Sequence, residues 1–413
     1  MSDTTATRIG RAGTLLVLAA LWLAAAAWLW RTRVPAHLPP SHVAATDFFT
    51  TAELRRAAGH VRVIRLAALG AYALQLAALA YLALRPPRAR ASLTGAGLGL
   101  ALWLAAVPSA VVTEAWQRRY GISLQSWGAW TLAFLPSVLA CVVGGAIAGA
   151  AVVALARRTR RWWLGAAALA TAAVAAYAFV SPLLGGGEPL RHPPPGLAGV
   201  RVEVDRVHKE TRAANAEAVG IGPTQRIVFW DTILRAPPRE LAVLAAHERA
   251  HLDRRHIPKG LAWTLLFLVP GFWLVGRVTR PDRAELLPRA ALAAAILALV
   301  ALPFANAISR RYEREADWIA LERTRDSDAA ANLFRDLAIS NALQPDPPRW
   351  AYVLFADHPS TMQRIELAKS LRGTALQGGP GSLDRPGVAC DAGVRPAGSA
   401  GGPSELTGRP ART

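Results

Sequence analysis

Seven long apolar runs constrain this chain more than any other feature. They fall at about 13–30, 66–84, 92–113, 129–156, 162–183, 260–276 and 290–308. The hydrocarbon core of a bilayer accommodates roughly 20 apolar residues in helical form, because a helix satisfies its own backbone groups there. A soluble domain of this length buries a good core without so many uninterrupted runs. The expected fold is therefore mainly α, a polytopic membrane helix bundle of about seven spans. The fourth run is long and glycine-rich at Gly144 and Gly145, and is expected to tilt or break. Trp162 and Trp163 at the mouth of the fifth read as interfacial anchors. The first run follows Arg8 and Arg11 and ends in Trp28-Leu29-Trp30-Arg31 rather than a small-residue cleavage site, so it reads as a retained anchor.

The formal net charge of +19 raises nucleic acid as a partner. Its distribution argues against one. Lys209, Lys259 and Lys369 are the only lysines, and much of the arginine sits in short loops between apolar runs, where membrane topology places it. A transporter would need paired ionisable groups inside the spans, and the seven runs hold none. Cys141 and Cys390 form no CxxC, so neither a disulfide framework nor a cysteine zinc site is expected.

The runs divide the chain into a five-span region, 1–183, a region 184–372 that includes two further spans, and a Gly/Pro-rich tail, 373–413, too poor in large apolar groups to fold. After the loop residues Gly185–Gly187 and Pro193–Pro195, Val200, Val202 and Val204 alternate with charged residues as in a half-buried strand. Ile227-Val228-Phe229-Trp230 is a second strand candidate. Pro237-Pro238 precedes a helix carrying His247 and His251. The stretch from Ser309 to about Thr324 continues the seventh span as a helix, and further helices are expected near 328–344 and 359–372.

His247 and His251 stand one turn apart on one helix face, a spacing that lets two imidazoles reach one Zn²⁺. Glu248 is placed to take a proton from a zinc-activated water. A catalytic zinc also needs a third protein ligand. Position 257, where one zincin pattern puts a histidine, is Ile, and His256 is one residue short, so it reads as a surface or supporting group. The third ligand should be an acid on a separate helix. In Arg311-Tyr312-Glu313-Arg314-Glu315-Ala316-Asp317, the acids Glu313 and Asp317 share a helix face; one can bind metal while the other orients a ligand, and Glu315 points elsewhere. Two spans separate His251 from this stretch, which returns both to the same membrane face. His358-Pro359-Ser360 opens a further helix, with His358 a candidate oxyanion donor.

These motifs together resemble the M48 peptidases, and within them the Ste24-type CAAX prenyl proteases. His247-Glu248-x-x-His251 followed by His256 resembles HExxHxxxxH. Ser309 through Asp317 is similar to SRxxExxAD, and His358-Pro359 with Arg364 to HPPxxxR. Asn215-Ala216, Arg226-Ile227-Val228 and Asp231–Leu234 resemble the segments before the zinc helix. Tyr120-Gly121-Ile122-Ser123, Gln125–Gly128 and Asp47-Phe48-Phe49 favour the Ste24 type over the shorter HtpX type. There are departures: Arg249-Ala250 replaces an apolar-Gly pair, Glu217 an aromatic and Ser360 a second proline.

The resemblance implies a gluzincin-like region with a small β element, in which one Zn²⁺ per chain is held by His247, His251 and Glu313. It implies that Glu248 and His358 are catalytic, that Asp317 and Arg364 order the site, and that Asn215 and Ala216 lie along a peptide bound as an added strand. It also implies helices enclosing a large chamber. The expected function is a membrane-embedded zinc metalloendopeptidase acting on peptide or protein substrates, membrane-associated or lipidated ones among them. The alternative is an inactive membrane chaperone of the same fold. The expected location is a multi-pass membrane protein, in the cytoplasmic membrane if bacterial. Arginines opposite the site (Arg85, Arg88, Arg90, Arg157, Arg158, Arg160, Arg161, Arg280 and Arg283) put that side in the cytoplasm by the positive-inside rule, whereas the resemblance puts the site there.

Overall fold

The structure is a computed structural model that describes residues 3–38, 43–279 and 286–377. Arg280, Arg283, Cys390 and the tail beyond 377 lie outside the described residues. Helices dominate. The membrane half comprises α1 (Asp3–Leu29), α2 (Thr51–Leu84), α3 (Ala91–Arg119), α4 (Trp127–Phe134), α5 (Pro136–Arg158) and α6 (Trp162–Leu184). Strands β1 (Glu188–Pro189), β2 (Val202–Asp205), β3 (Ala216–Val219) and β4 (Arg226–Trp230) follow. Then come α7 (Pro238–Asp253), α8 (His256–Val278), α9 (Leu286–Thr324), α10 (Ser327–Ser340), α11 (Arg349–Phe355) and α12 (Thr361–Gln377).

Among the described residues, six helical segments are long and apolar enough to cross a membrane, with α4 and α5 counting as one. They match six of the seven expected runs. The remaining run lies in α1, whose apolar stretch Leu16–Leu29 is shorter. Large apolar side chains face outward along the spans, as at Leu132, Leu139 and Ile147, a surface suited to lipid and costly in water. The fourth run does break, but at Leu135-Pro136, where proline starts α5. Gly145 serves packing instead, while nothing among the described residues lies against Gly144. A Cβ on Gly95 of α3 would sit 2.1 Å from the Gly145 carbonyl oxygen of α5, so only glycine permits this approach. Trp162 is not an interfacial anchor; it is buried with Ala156, Ala166, Val275 and Leu286.

The sheet has the order β1-β2-β4-β3, with β2 and β4 parallel and the other pairs antiparallel. Ile227 and Phe229 on one face join the main core with Val243 and Leu244 of α7, Leu321 of α9 and Leu333 of α10. This places α7 under the sheet and against the far end of α9. The helix expected near 359–372 runs through Gln377, and α11, short and following Pro347-Pro348, has no clear periodic signal in the sequence.

Candidate active site

Pro238 fills the first turn of α7, where no N–H is needed. Two turns on, the helix presents His247, Glu248 and His251 towards α9. That helix is continuous for 39 residues, so the segment that crosses the membrane also carries Glu313 and Asp317. One ligand atom each from His247, His251 and Glu313 lie within 4.8 Å of one another. His247 Nε2 and His251 Nε2 face each other at 3.1 Å. Glu313 Oε2 is 3.3 Å from His247 Nε2 and its Oε1 is 3.5 Å from His251 Nε2.

This set fits a bound cation. Glu313 Oε2 is buried yet accepts no aligned hydrogen bond, a costly state for a carboxylate without a cation. His247 Nδ1 is 2.9 Å from Asp317 Oδ1. The contact is close but poorly aligned as a hydrogen bond. A ring nitrogen that near a carboxylate carries a proton, so in the neutral, metal-binding form of the ring Nε2 is the electron pair. Asp317 is in turn gripped by both arms of Arg364 of α12, at 2.9 and 2.6 Å. Two imidazoles and a carboxylate are donors that suit zinc.

Electrostatics divide the two histidines. Burial disfavours a charged His247, but Asp317 and Glu313 outweigh it and raise its pKa to about 10. Burial lowers His251 to about 3, beyond what Glu313 offsets. Burial also pushes the Glu248 carboxyl up to about 7, aided by the Glu313 charge and opposed by His247 and the Ala218 N–H. His358, in the loop before α12, points Nε2 at Glu313 Oε2 from 3.2 Å, while Asp357 holds its Nδ1 at 2.9 Å. Burial works against its proton, but these carboxylates raise its pKa.

Above Glu248 lies β3, an edge strand. Trp230 N–H donates to the Asn215 carbonyl at 3.0 Å, and Glu217 pairs with Val228. In antiparallel pairing the intervening residues turn their backbone groups the other way, so Ala216 and Ala218 present theirs to the open edge. Asn341 of the loop after α10 pins the approach to this strand. It accepts from Ala214 N–H at 3.2 Å and donates to its carbonyl at 3.0 Å. Beside the histidines, a cavity of about 320 Å³ is lined by His251, His256, Trp263, Phe267, Ile308 and Tyr312, among others.

Residues 200–372 match peptidase family M48. An uncharacterized metalloprotease, YhfN, of Bacillus subtilis is 36% identical over 176 residues, 39% of this chain and 41% of that one. A protease HtpX homolog of Acaryochloris marina is 33% identical over 180 residues, 37% of this chain and 61% of its own length. Both matches thus span less than two thirds of the relative. The crystal structure of S. mikatae Ste24p superposes with a TM-score of 0.61 over 84% of this chain and 96% of that one, at 16% identity. Residues 200–372 are thus similar to peptidase family M48, and the chain has a Ste24-type fold.

Every expected site residue lies near the cluster. His247, His251, Glu313, Asp317, His358 and Arg364 are linked by direct contacts, Glu248 sits within α7 beside them, and Asn215 and Ala216 lie at the sheet edge above. Sequence reasoning did not foresee the inner network around Glu315. That side chain does point away from Glu313, but it is fully buried, and of the two readings of His256, surface or supporting group, its burial leaves the second. Asp357 and Asn341 were also missed; each is a lone polar residue in a loop, with no spacing to mark it.

Proposed function

We propose that this chain is a membrane-embedded zinc metalloendopeptidase. The observation that carries the reading is the convergence of His247, His251 and Glu313 beside buried Glu248 and beneath an open strand edge. Zinc held by these three residues would polarise the scissile carbonyl and lower the pKa of water. Glu248 takes the proton of the attacking water and passes it to the leaving amine. The elevated pKa of its carboxyl suits both halves of that transfer. His358 donates a hydrogen bond to the oxyanion. Asn215 and the free backbone groups of Ala216 align the peptide as an added strand.

The substrates on this reading are peptides or proteins presented at the membrane, with a prenylated CAAX tail the member of that class suggested by the family. The cavity beside His251 takes an apolar side chain. Glu217 projects on the outer face of β3, and Asp205 lies one row away on the same face, on β2. The pair favours a basic side chain on that face of the peptide. A bacterial chain would sit in the cytoplasmic membrane. Cysteine accessibility at the C-terminal tail decides which side the site faces.

The test is Glu248→Gln in the purified full-length protein, with zinc content and peptide cleavage measured together. The expected result is retained zinc and hydrolysis reduced by several orders of magnitude. Undiminished cleavage would refute the assignment. Stoichiometric zinc in the wild type without cleavage of any peptide would favour the chaperone reading.

A further inference from the structure

We propose that His256 and Glu315 form a positioning relay that fixes the tautomer of His251 and turns its Nε2 electron pair towards the metal. The inference rests on the metal reading above and adds two residues to it.

The argument starts at the deepest group. Glu315 is fully buried. Its Oε1 accepts from Arg254 Nε at 2.9 Å and from the Arg33 backbone N–H at 2.9 Å. Its Oε2 faces His256 Nε2 at 3.0 Å. A carboxylate so engaged only accepts, so the single proton of the His256 ring sits on Nε2. His256 Nδ1 is then an electron pair. It lies 3.1 Å from His251 Nδ1, a distance at which two electron pairs repel. His251 Nδ1 therefore carries the proton, and Nε2, the atom facing His247 and Glu313, is bare. Each step follows from the one before, and reversing the proton on His256 would put a hydrogen where the metal must bind.

The surroundings hold the relay in place. The His256 ring stacks on Tyr312, with centroids 4.8 Å apart and planes at 8°. The Tyr312 hydroxyl accepts from Trp263 Nε1 at 3.0 Å and donates to the Leu29 carbonyl at 2.8 Å, tying the stack to α8 and α1. Between His251 and His256 the chain reverses through Arg255, whose φ of 55° is left-handed and unfavourable for a side-chain-bearing residue. Strain of this kind is retained where the surrounding structure fixes it. Here it brings His256 back onto His251 only five residues later.

The experiment measures zinc affinity of the full-length protein by chelator competition, with the visible spectrum of the cobalt-substituted form as a second readout. His256→Phe keeps the stack on Tyr312 and removes both hydrogen bonds. It should weaken zinc binding by about 10–100-fold, the usual effect of losing such a partner. His256→Gln can accept from His251 Nδ1–H and donate to Glu315, and should stay within about threefold of wild type with the wild-type cobalt spectrum. Unchanged zinc affinity in the Phe variant would overturn the relay. So would a Gln variant as weak as Phe, because packing of the ring alone would then be decisive. If the Phe variant does not fold, ¹⁵N imidazole shifts of the metal-free wild type read the tautomer directly. A protonated Nδ1 and bare Nε2 on His251 are expected, and the opposite tautomer overturns the proposal. A wild type that takes up no zinc would instead refute the metal reading itself.

Discussion

His247 and His251 are one turn apart on the same helix and present the same atom to the same carboxylate, yet they are supported in different ways. His247 rests directly on an anion, Asp317, which a bidentate Arg364 neutralises. His251 rests on a second imidazole, and the anion, Glu315, is one residue further away with Arg254 behind it. Both arrangements hold a proton on Nδ1 and aim Nε2 at the metal position, where it is an electron pair once the ring is neutral. They differ in charge next to the site: the first holds a proton on His247 to about pH 10 without metal, and the second leaves His251 neutral down to about pH 3. Identical ligands in a motif can thus have unequal proton economies, set by residues about 60–70 positions away.

The sharpest way to break the comparison is to remove the two anions. Asp317→Ala strands the Arg364 side chain, only 14% exposed, and should cost about 3–5 kcal/mol in unfolding free energy. Glu315→Ala strands Arg254, 31% exposed and able to turn to water, and should cost about half as much. Equal losses in denaturant titrations would contradict the asymmetry. Asp317→Asn keeps the shape but weakens the hold on His247, and zinc affinity should fall about 10–100-fold by chelator competition.

A proton count sharpens the contrast further. The pKa of His247 is raised above its ordinary value of 6.5 because Asp317 and Glu313 outweigh burial. In the metal-free protein the stability it contributes is therefore present below pH 6.5 and lost as pH rises through about 10. Near pH 7.5 the ring is charged and must release its proton to bind metal. Zinc uptake in calorimetry should release about one proton, traceable to His247 and absent from His251. Asp317→Asn should reduce that release, and a buffer-independent enthalpy in the wild type would exclude it. The smallest effect is expected at the sheet edge. Glu217→Gln should lower kcat/KM about 3–10-fold on peptides with a basic residue on that face, and leave neutral peptides unchanged.

Much of this was legible in the sequence, for definable reasons. Apolar runs report their length directly, so the spans were found. The four-residue spacings of His247 with His251 and of Glu313 with Asp317 report a helix face, and the two intervening spans report that the faces meet. What escaped depends on tertiary placement. Nothing local marks Arg255 as left-handed, so His256 could not be brought back onto His251. Ala216–Val219 is too short and too poor in β-branched residues to signal a strand by pattern, and only the resemblance at Asn215-Ala216 marked it. Trp162 at a helix mouth fits the rule for interfacial aromatics, yet its burial depends on neighbours from α8 and α9. A glycine such as Gly145 signals close packing as readily as a break, and only the partner helix distinguishes the two.

The unbroken course of α9 has a mechanical consequence. At 1.5 Å per residue its 39 residues span about 58 Å along the helix, roughly twice the hydrocarbon thickness, with Pro303 near the middle. The bilayer grips one half and the other half holds Glu313. If the helix moves as one body, a change in lipid thickness that tilts the gripped half by about 10° would swing the far end by about 5 Å unless the clamp of Arg364 on Asp317 absorbs it. The lipid around this protein therefore acts as the base of a lever whose tip is one of three groups that must stay in register.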